Sequence, residues 1–101
     1  MEEPVDHATA RRWVRRIIDR KGMTTFSSAA KDAMMREDMT SGDVVNVLRG
    51  GAIKGTEVVH GAWRYRSCTK SMSVDFSFRG PGADKGDPDE VVVISARRHG
   101  P

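Results

Sequence analysis

The hydrophobic period of the 101-residue chain changes at the Gly50-Gly51 pair. Before this pair, apolar residues recur every three to four positions, as they do along the buried face of an α-helix. After it they alternate with polar residues, as in a half-buried strand, and Met72 to Arg79 is the clearest example. The pattern predicts an α+β fold, in which three N-terminal helices pack on one face of a C-terminal antiparallel sheet of about four strands.

The first predicted helix begins near Asp6, and its exposed surface is rich in arginine. Its apolar stripe consists of Ala10, Trp13, Val14, Ile17 and Ile18. Its remaining surface carries Arg11, Arg12, Arg15, Arg16 and Arg20. These arginines form either a phosphate-binding stripe or the solvated face of an amphipathic helix.

Two further helices and the strands complete the predicted single domain, residues 1–101. Ser27-Ser28 caps the second helix, and Thr40 with Asp43 forms a capping box for the third. Residues 1–5 are expected to be a loose tail and residues 80–90 a mobile loop, and the last strand, from Val91 to Ser95, to be central in the sheet. The expected core is Trp13, Ile17, Val47, Leu48, Val74, Phe76, Val93 and Ile94.

The composition favours an anionic partner and offers little for metal chemistry. The net charge is +3 and the isoelectric point about 9.4. Cys68 is the only cysteine, and the three histidines lack metal-ligand spacing, so we predict no disulfide, metal site or cofactor. Neither a signal peptide nor an apolar run of ~20 residues is present, which predicts a cytoplasmic protein without a membrane segment.

Basic residues recur on the predicted strands. In the strand from Ala62 to Thr69, Arg64 and Arg66 share one face, and Trp63 and Tyr65 share the other. Lys54 lies on the neighbouring hairpin strand, and Arg97 and Arg98 end the last strand. Guanidinium groups match the geometry of a phosphate.

These residues predict either a phosphate-binding face or the charged, solvent-facing edge of an ordinary sheet. Metal-free RNA cleavage needs positive donors beside the phosphate and a group that moves protons. The candidates for proton transfer are His60, Tyr65 and His99, and nearby aromatic residues such as Trp63 could stack on unpaired bases.

Several short strings occur in an order that is similar to that of a known family. They are Thr24-Thr25 with Ser28-Ala29, Asn46-Val47, Ala52-Ile53-Lys54, Trp63-Arg64 and the Val-Val-Ile-Ser-Ala-Arg string at 92–97. Through them the chain resembles the MqsR-type messenger-RNA interferase toxins of bacterial toxin–antitoxin systems, which share the RelE-like ribonuclease fold. The stretch between Lys54 and Trp63 is shorter than in that family.

The resemblance implies an endoribonuclease that acts without a metal, a cognate antitoxin and, as a further partner, the ribosome. It assigns the site to Lys54, Arg64 and Arg97. The family's tyrosine on the strand before the last is replaced here near Ser73, so its role would pass to Tyr65. Arg66, Arg98, Trp63 and His99 are expected to bind RNA. The alternative is a non-catalytic RNA-binding or protein-interaction module that uses the same basic sheet face.

Overall fold

The computed structural model describes residues 5–20, 22–59, 62–80 and 88–99. In chain order, the elements are α1 (His7–Asp19), β1 (Met23–Phe26), α2 (Ser28–Arg36), α3 (Ser41–Gly50), β2 (Ala52–Val59), β3 (Ala62–Cys68), β4 (Met72–Arg79) and β5 (Glu90–Arg98). The predicted α+β class is confirmed. No helix within these ranges is long and apolar enough to cross a membrane.

The sheet has five strands in the order β1-β5-β4-β3-β2, so the prediction of about four strands after three helices was wrong in detail. The additional strand is β1, which lies between α1 and α2 in the chain and pairs with β5 in parallel. Its four residues show no alternating burial and are too few to reveal a period. The other neighbouring strands are antiparallel. β5, predicted to be central, is an interior strand between β1 and β4, and the middle strand of the five is β4.

Polar side chains fix the start of each helix. The Asp6 carboxylate accepts a hydrogen bond from the Thr9 backbone N–H at 2.7 Å, and Ser27 Oγ accepts one from Ala30 at 3.0 Å. Thr40 and Asp43 form the predicted capping box, each side chain accepting a hydrogen bond from the other's backbone N–H. These bonds satisfy N–H groups that have no partner within the helix.

Gly51 lies between α3 and β2, where its backbone packs too closely against its neighbours for a side chain to fit. A Cβ atom at this position would lie 2.5 Å from Ser67 Oγ and 2.6 Å from the Val47 carbonyl oxygen. Only glycine allows so close an approach between the end of α3 and β3. Ser67 Oγ donates a hydrogen bond to the Val47 carbonyl at 2.8 Å, which fixes α3 against the sheet.

All three helices contribute to a core on one face of the sheet. It includes Ala10, Trp13, Val14, Ile17, Ala30, Val44, Val47, Leu48, Tyr65, Val74, Phe76, Phe78, Val91 and Val93. Seven of the eight predicted core residues are therefore confirmed. Val5, expected in the loose tail, is buried, and its backbone N–H donates a hydrogen bond to the Tyr65 hydroxyl at 3.2 Å.

Ile94 is the predicted core residue that the structure places outside the core. A β-bulge interrupts the pairing of β4 with β5, since Asp75 pairs with Ser95 and Phe76 pairs with Val93. Ile94 is the extra residue between these pairs, so it is only half-buried. The bulge also reverses the alternation beyond it, and Ala96 becomes buried.

The predicted mobile loop at 80–90 is shorter than expected at its C-terminal end. Pro88 is fully buried, and Glu90 is the first residue of β5. The Arg16 guanidinium of α1 donates a hydrogen bond to the Pro88 carbonyl at 2.9 Å. Residues 81–87 of this prediction, like residues 1–4 of the predicted tail, lie outside the described ranges.

Candidate functional site

The side of the sheet away from the core carries a row of charged and polar residues, which we call the open face. In β3, Tyr65 and Ser67 are buried toward the helices, whereas Arg64 and Arg66 are not. The predicted separation of arginines and aromatics is therefore confirmed. Cross-strand pairing gives the open face its other charged and polar members, which are Glu57, Cys68, Ser73, Asp75, Ser77, Arg79, Glu90, Ser95 and Arg97.

Two β-bulges position Lys54 and Arg97 on this face. The pairing of β2 with β3 shifts between Ile53 and Gly55, which leaves Lys54 as the extra residue. The bulge at Ile94 shifts the phase of β5, so Arg97 lies opposite Ser73. Without that extra residue, Arg97 would share the face of Val91 and Val93 and would point toward the core.

The larger depression of the open face lies over β2 and β3 and has a volume of about 330 Å³. We call it the β2–β3 depression. Its charged lining consists of Lys54, Glu57, Arg64, Arg66 and Asp75. Glu57 lies directly opposite Arg64 in the strand register, so a carboxylate and a guanidinium face the same depression.

A second, smaller depression of about 70 Å³ lies over β4 and β5, and we call it the β4–β5 depression. Its lining includes Arg66, Ser73, Asp75, Ser95 and Arg97. Arg66 and Asp75 are shared with the larger depression and form the wall between the two. The structure therefore brings Lys54 and Arg64 together but places Arg97 in a neighbouring site.

Arg66 and Asp75 form an ion pair across β3 and β4. Arg66 Nε donates to Asp75 Oδ1 at 2.7 Å, and Nη2 donates to Oδ2 at 3.3 Å. The hydrogen bond and the charge of Asp75 raise the pKa of Arg66 above its ordinary value. The charge of Arg66 is thus largely offset before any ligand arrives, which differs from the free phosphate-binding arginine that we expected.

Three basic side chains of the open face have no such partner. Among the described residues, none forms an ion pair or hydrogen bond with the side chain of Lys54, Arg64 or Arg97. By contrast, Arg79 at the other end of this face is held by Glu90 at 3.0 Å. The available positive charge is therefore concentrated at the three positions that the family resemblance assigns to the site.

Tyr65 and Trp63 lie on the helix-covered face and are not part of the open face. The Tyr65 side chain is only 1% exposed, and its ring stacks on Phe76 with centroids 5.7 Å apart. Trp63 packs against the same core. Tyr65 is among the residues that line the β2–β3 depression, but its side chain points toward the helices. The structure therefore does not bring the Tyr65 hydroxyl or the Trp63 ring beside Arg64, because successive strand residues point to opposite faces.

Arg98 has a structural role. It donates hydrogen bonds to the carbonyl oxygens of Glu37 and Asp38, at 2.7 and 2.8 Å, and lies 3.8 Å from the Asp43 carboxylate. These contacts join the end of β5 to the end of α2, and Arg98 lines neither depression of the open face.

Among the described residues, no histidine lines either depression. His99 follows β5, with an exposed side chain and a backbone N–H that donates to the Ser71 carbonyl at 2.8 Å, and it lines neither depression. His60 lies outside the described residues. Across the described ranges, no three His, Cys, Asp or Glu side chains are grouped as a metal site would require.

Glu57 and Asp75 are the open-face residues that the sequence analysis missed. The position of each turn sets the register of the hairpins, and this register indicates that both residues lie on the open face. Because β2 and β3 pair Val59 with Ala62, counting two residues away from the turn on each strand places Glu57 opposite Arg64. A turn placed between β3 and β4 pairs Arg66 with Asp75 in the same way.

Comparison of the chain with protein-family models, with curated proteins and with solved structures found no match.

Proposed function

We propose that the protein is an endoribonuclease that binds the reacting phosphate in the β2–β3 depression and needs no metal ion. The observation that carries this proposal is that Lys54 and Arg64, neither of which forms an ion pair within the described residues, line one depression with Glu57. Unpaired donors can stabilise charge that develops on a phosphate, and a carboxylate can take a proton. These are the two elements of metal-free RNA cleavage.

In the proposed reaction Glu57 accepts the proton of a ribose 2′-hydroxyl. The 2′ oxygen forms a bond to phosphorus, and the bond from phosphorus to the 5′ oxygen of the next nucleotide breaks. The departing 5′ oxygen takes a proton from a water molecule that the open depression admits, and the hydroxide left behind takes the proton from Glu57. Lys54 and Arg64 stabilise the additional negative charge of the pentavalent phosphate. The products are a 2′,3′-cyclic phosphate and a free 5′-hydroxyl.

The resemblance to interferase toxins supports the same assignment, since it marks Lys54 and Arg64 independently of the register that brings in Glu57. It extends the proposal to a toxin that acts on RNA in the cytoplasm and is neutralised by a cognate antitoxin. Arg97, in the β4–β5 depression, is then a residue that binds a flanking phosphate of the same RNA.

One observation favours a non-catalytic RNA-binding module instead. In the strand register Glu57 faces Arg64 directly, so its carboxylate could balance the arginine charge rather than take a proton. The two functions share the phosphate contacts and differ in whether the bound RNA is cut.

Single-turnover cleavage of an unstructured RNA, with and without EDTA, tests the proposal. Arg64→Ala should slow cleavage by about 100- to 1000-fold. Glu57→Gln should slow it by roughly 100- to 10,000-fold. The matched control is Arg79→Ala, which removes one arginine from the same face outside both depressions, and its rate should stay near that of the unmodified protein.

An RNA with a single 2′-hydroxyl locates the cut and should yield a 2′,3′-cyclic phosphate at that position. RNA binding without cleavage would reject the enzyme in favour of the RNA-binding module. Absence of RNA binding even at low salt would favour a protein-interaction module. Loss of cleavage in EDTA would reject the metal-free reaction.

A further inference from the structure

The strongest concentration of positive charge in the described part of the chain lies on α1 and not on the open face. We call it the α1 basic face, and it consists of Arg11, Arg12, Arg15, Arg16 and Arg20, together with Arg49 of α3 and Asp19. Arg49 joins the group because its guanidinium lies 3.3 Å from Asp19 and its carbonyl accepts a hydrogen bond from Arg15.

The net charge of this face is higher than that of the whole protein. Six arginines and one aspartate give it a formal charge of +5, whereas the net charge of the chain is +3. The rest of the chain is therefore net negative. On the open face, by contrast, Asp75 and Glu90 hold two of the arginines in ion pairs. The basic isoelectric point of the protein thus originates mainly from α1 and its surroundings.

The α1 basic face and the open face point in opposite directions. Trp13, Val14 and Ile17 are buried against the sheet on its helix-covered side, so Arg11, Arg12 and Arg15 on the other side of α1 face away from the sheet. Arg16 lies at the margin of the α1 basic face, where its guanidinium donates to the Pro88 carbonyl. A short RNA bound in the β2–β3 depression cannot reach these arginines, because the core and α1 itself lie between them. Any ligand of the α1 basic face therefore binds a separate surface.

The lack of exposed apolar residues on the α1 basic face indicates which class of anionic partner this face can bind. The large exposed apolar residues of the described chain are Met23, Met35 and Val58, and none lies on α1. A stable protein interface needs an apolar, desolvated centre, which this face lacks. Insertion into a membrane surface would need the apolar side of the helix, which is already buried in the core.

We propose that the α1 basic face is a second nucleic-acid surface, which binds the phosphate backbone of a duplex without reading its sequence. Binding to regularly spaced phosphates requires only positive charges and releases counterions. Arginines four positions apart, such as Arg11 and Arg15, are spaced by about 6 Å along the helix, which lets several of them contact one backbone. The inference holds whether or not the open face cleaves RNA.

Binding to a mixed-sequence DNA duplex tests the proposal, because DNA lacks the 2′-hydroxyl and cannot be cut by the reaction proposed above. An RNA duplex of the same sequence is the second probe. The test variant carries Arg11→Gln, Arg12→Gln and Arg15→Gln, which keep good helix formers in α1. The control variant carries Lys31→Gln, Arg36→Gln and Lys70→Gln, which remove the same charge from exposed positions elsewhere.

The test variant should bind both duplexes at least about tenfold more weakly, and its salt slope should be smaller by up to ~0.9 for each arginine that contacts a phosphate. Thermal unfolding should show both variants folded, and the control variant should bind nearly as well as the unmodified protein. Equal losses of affinity and slope in the two variants would overturn the proposal. It would also be overturned if poly-glutamate bound to this face with the affinity and salt slope of the duplexes, since an acidic protein would then be the better partner.

Discussion

Asp75 holds Arg66 through two hydrogen bonds between neighbouring strands, and this ion pair separates the β2–β3 depression from the β4–β5 depression. The Asp75 side chain is 20% exposed and that of Arg66 is 50% exposed, so the pair lies at the surface and its charges are screened by water. A phosphate chain that crosses the wall must compete with Asp75 for Arg66. Asp75 therefore sets how much positive charge the centre of the open face offers.

Removing the carboxylate should strengthen RNA binding. In Asp75→Asn, Arg66 is released and one negative charge is lost from the wall, so affinity for single-stranded RNA should rise. The slope of affinity against salt, on logarithmic axes, should become steeper by ~0.7 for the additional phosphate contact. Fluorescence anisotropy with an RNA that lacks reactive 2′-hydroxyls measures both. The cost to folding should stay below about 1 kcal/mol, as is usual for exposed pairs.

Glu90→Gln is the matched control for this prediction. It removes the carboxylate of the second two-bond ion pair on the same face, which Glu90 forms with Arg79, and it lines neither depression. Its effect on RNA affinity should be clearly smaller than that of Asp75→Asn. Equal effects of the two variants would show that only total charge matters and that Arg66 has no special place in the RNA site.

Acid should destabilise the protein through three carboxylates. The backbone N–H of Thr9 lowers the pKa of Asp6, that of Thr40 lowers the pKa of Asp43, and hydrogen bonds from Arg79 and Thr25 lower the pKa of Glu90. A lowered pKa in the folded state means that the unfolded chain binds the proton more readily. The stabilisation is therefore complete above about pH 5 and is lost as the pH falls through about 4 and below.

Urea unfolding between neutral pH and about pH 3 measures this dependence. The free energy of unfolding should be nearly constant at the upper end and should fall at the lower end. Asp43→Asn or Glu90→Gln should flatten the acid part of the curve, since each removes one group whose pKa differs between the two states. A free energy of unfolding that rises on acidification would contradict the prediction.

The bulge at Ile94 predicts unequal costs for two truncations of large aliphatic side chains. Leu48 is 1% exposed within the core, so Leu48→Ala should lower the free energy of unfolding by about 2–5 kcal/mol. Ile94 is half-buried and outside the core cluster, so Ile94→Ala should cost distinctly less. Chemical unfolding of both variants measures the difference, and a cost for Ile94→Ala equal to that for Leu48→Ala would contradict the placement of Ile94.

The hydrophobic period predicted those parts of the molecule in which no bulge or irregular strand pairing interrupts the repeat. The buried face of α1 follows from a period of about 3.6, and the opposite faces of Arg64 and Tyr65 follow from a period of 2. The capping box follows from the three-residue spacing between Thr40 and Asp43. Seven of the eight predicted core residues lie on such stretches. The predicted strands already suggested a basic face with Lys54, Arg64 and Arg97, and the resemblance selected these three as the site.

The remaining features of the fold depend on irregular strand pairing, which a pattern within one segment of the sequence does not reveal. A bulge adds one residue and reverses the face of everything beyond it, so the run from Val91 to Ser95 gave no sign that Ile94 would leave the core. The strand β1 is too short to show a period, and it forms because β5 offers it a parallel partner. Tyr65 was expected to move protons both as a titratable residue of the basic strand and through the resemblance, although the same alternation that places Arg64 on the open face buries Tyr65.

Arg97 should affect the binding of long substrates and not the chemical step. Strand spacing and residue rise place its Cα about 16 Å from that of Arg64, two strands away and four residues along the sheet. Arg66 and Asp75 stand between the two arginines. A dinucleotide in the β2–β3 depression therefore does not reach Arg97, whereas a longer RNA can place a flanking phosphate beside it.

In Arg97→Ala, cleavage of a dinucleotide should remain close to that of the unmodified protein. For a longer RNA, KM should rise by roughly 10- to 100-fold with kcat little changed, because a charge-assisted hydrogen bond to a non-reacting phosphate contributes about 1.5–3 kcal/mol of binding. Arg64→Ala, in contrast, should lower kcat for both substrates, since the proposed reaction places Arg64 at the phosphate on which charge develops. Lys31→Ala, a loss of one exposed charge on α2, is the control. A fall in kcat for the dinucleotide in Arg97→Ala would place Arg97 at the reacting phosphate and would require the wall formed by Arg66 and Asp75 to open when RNA binds.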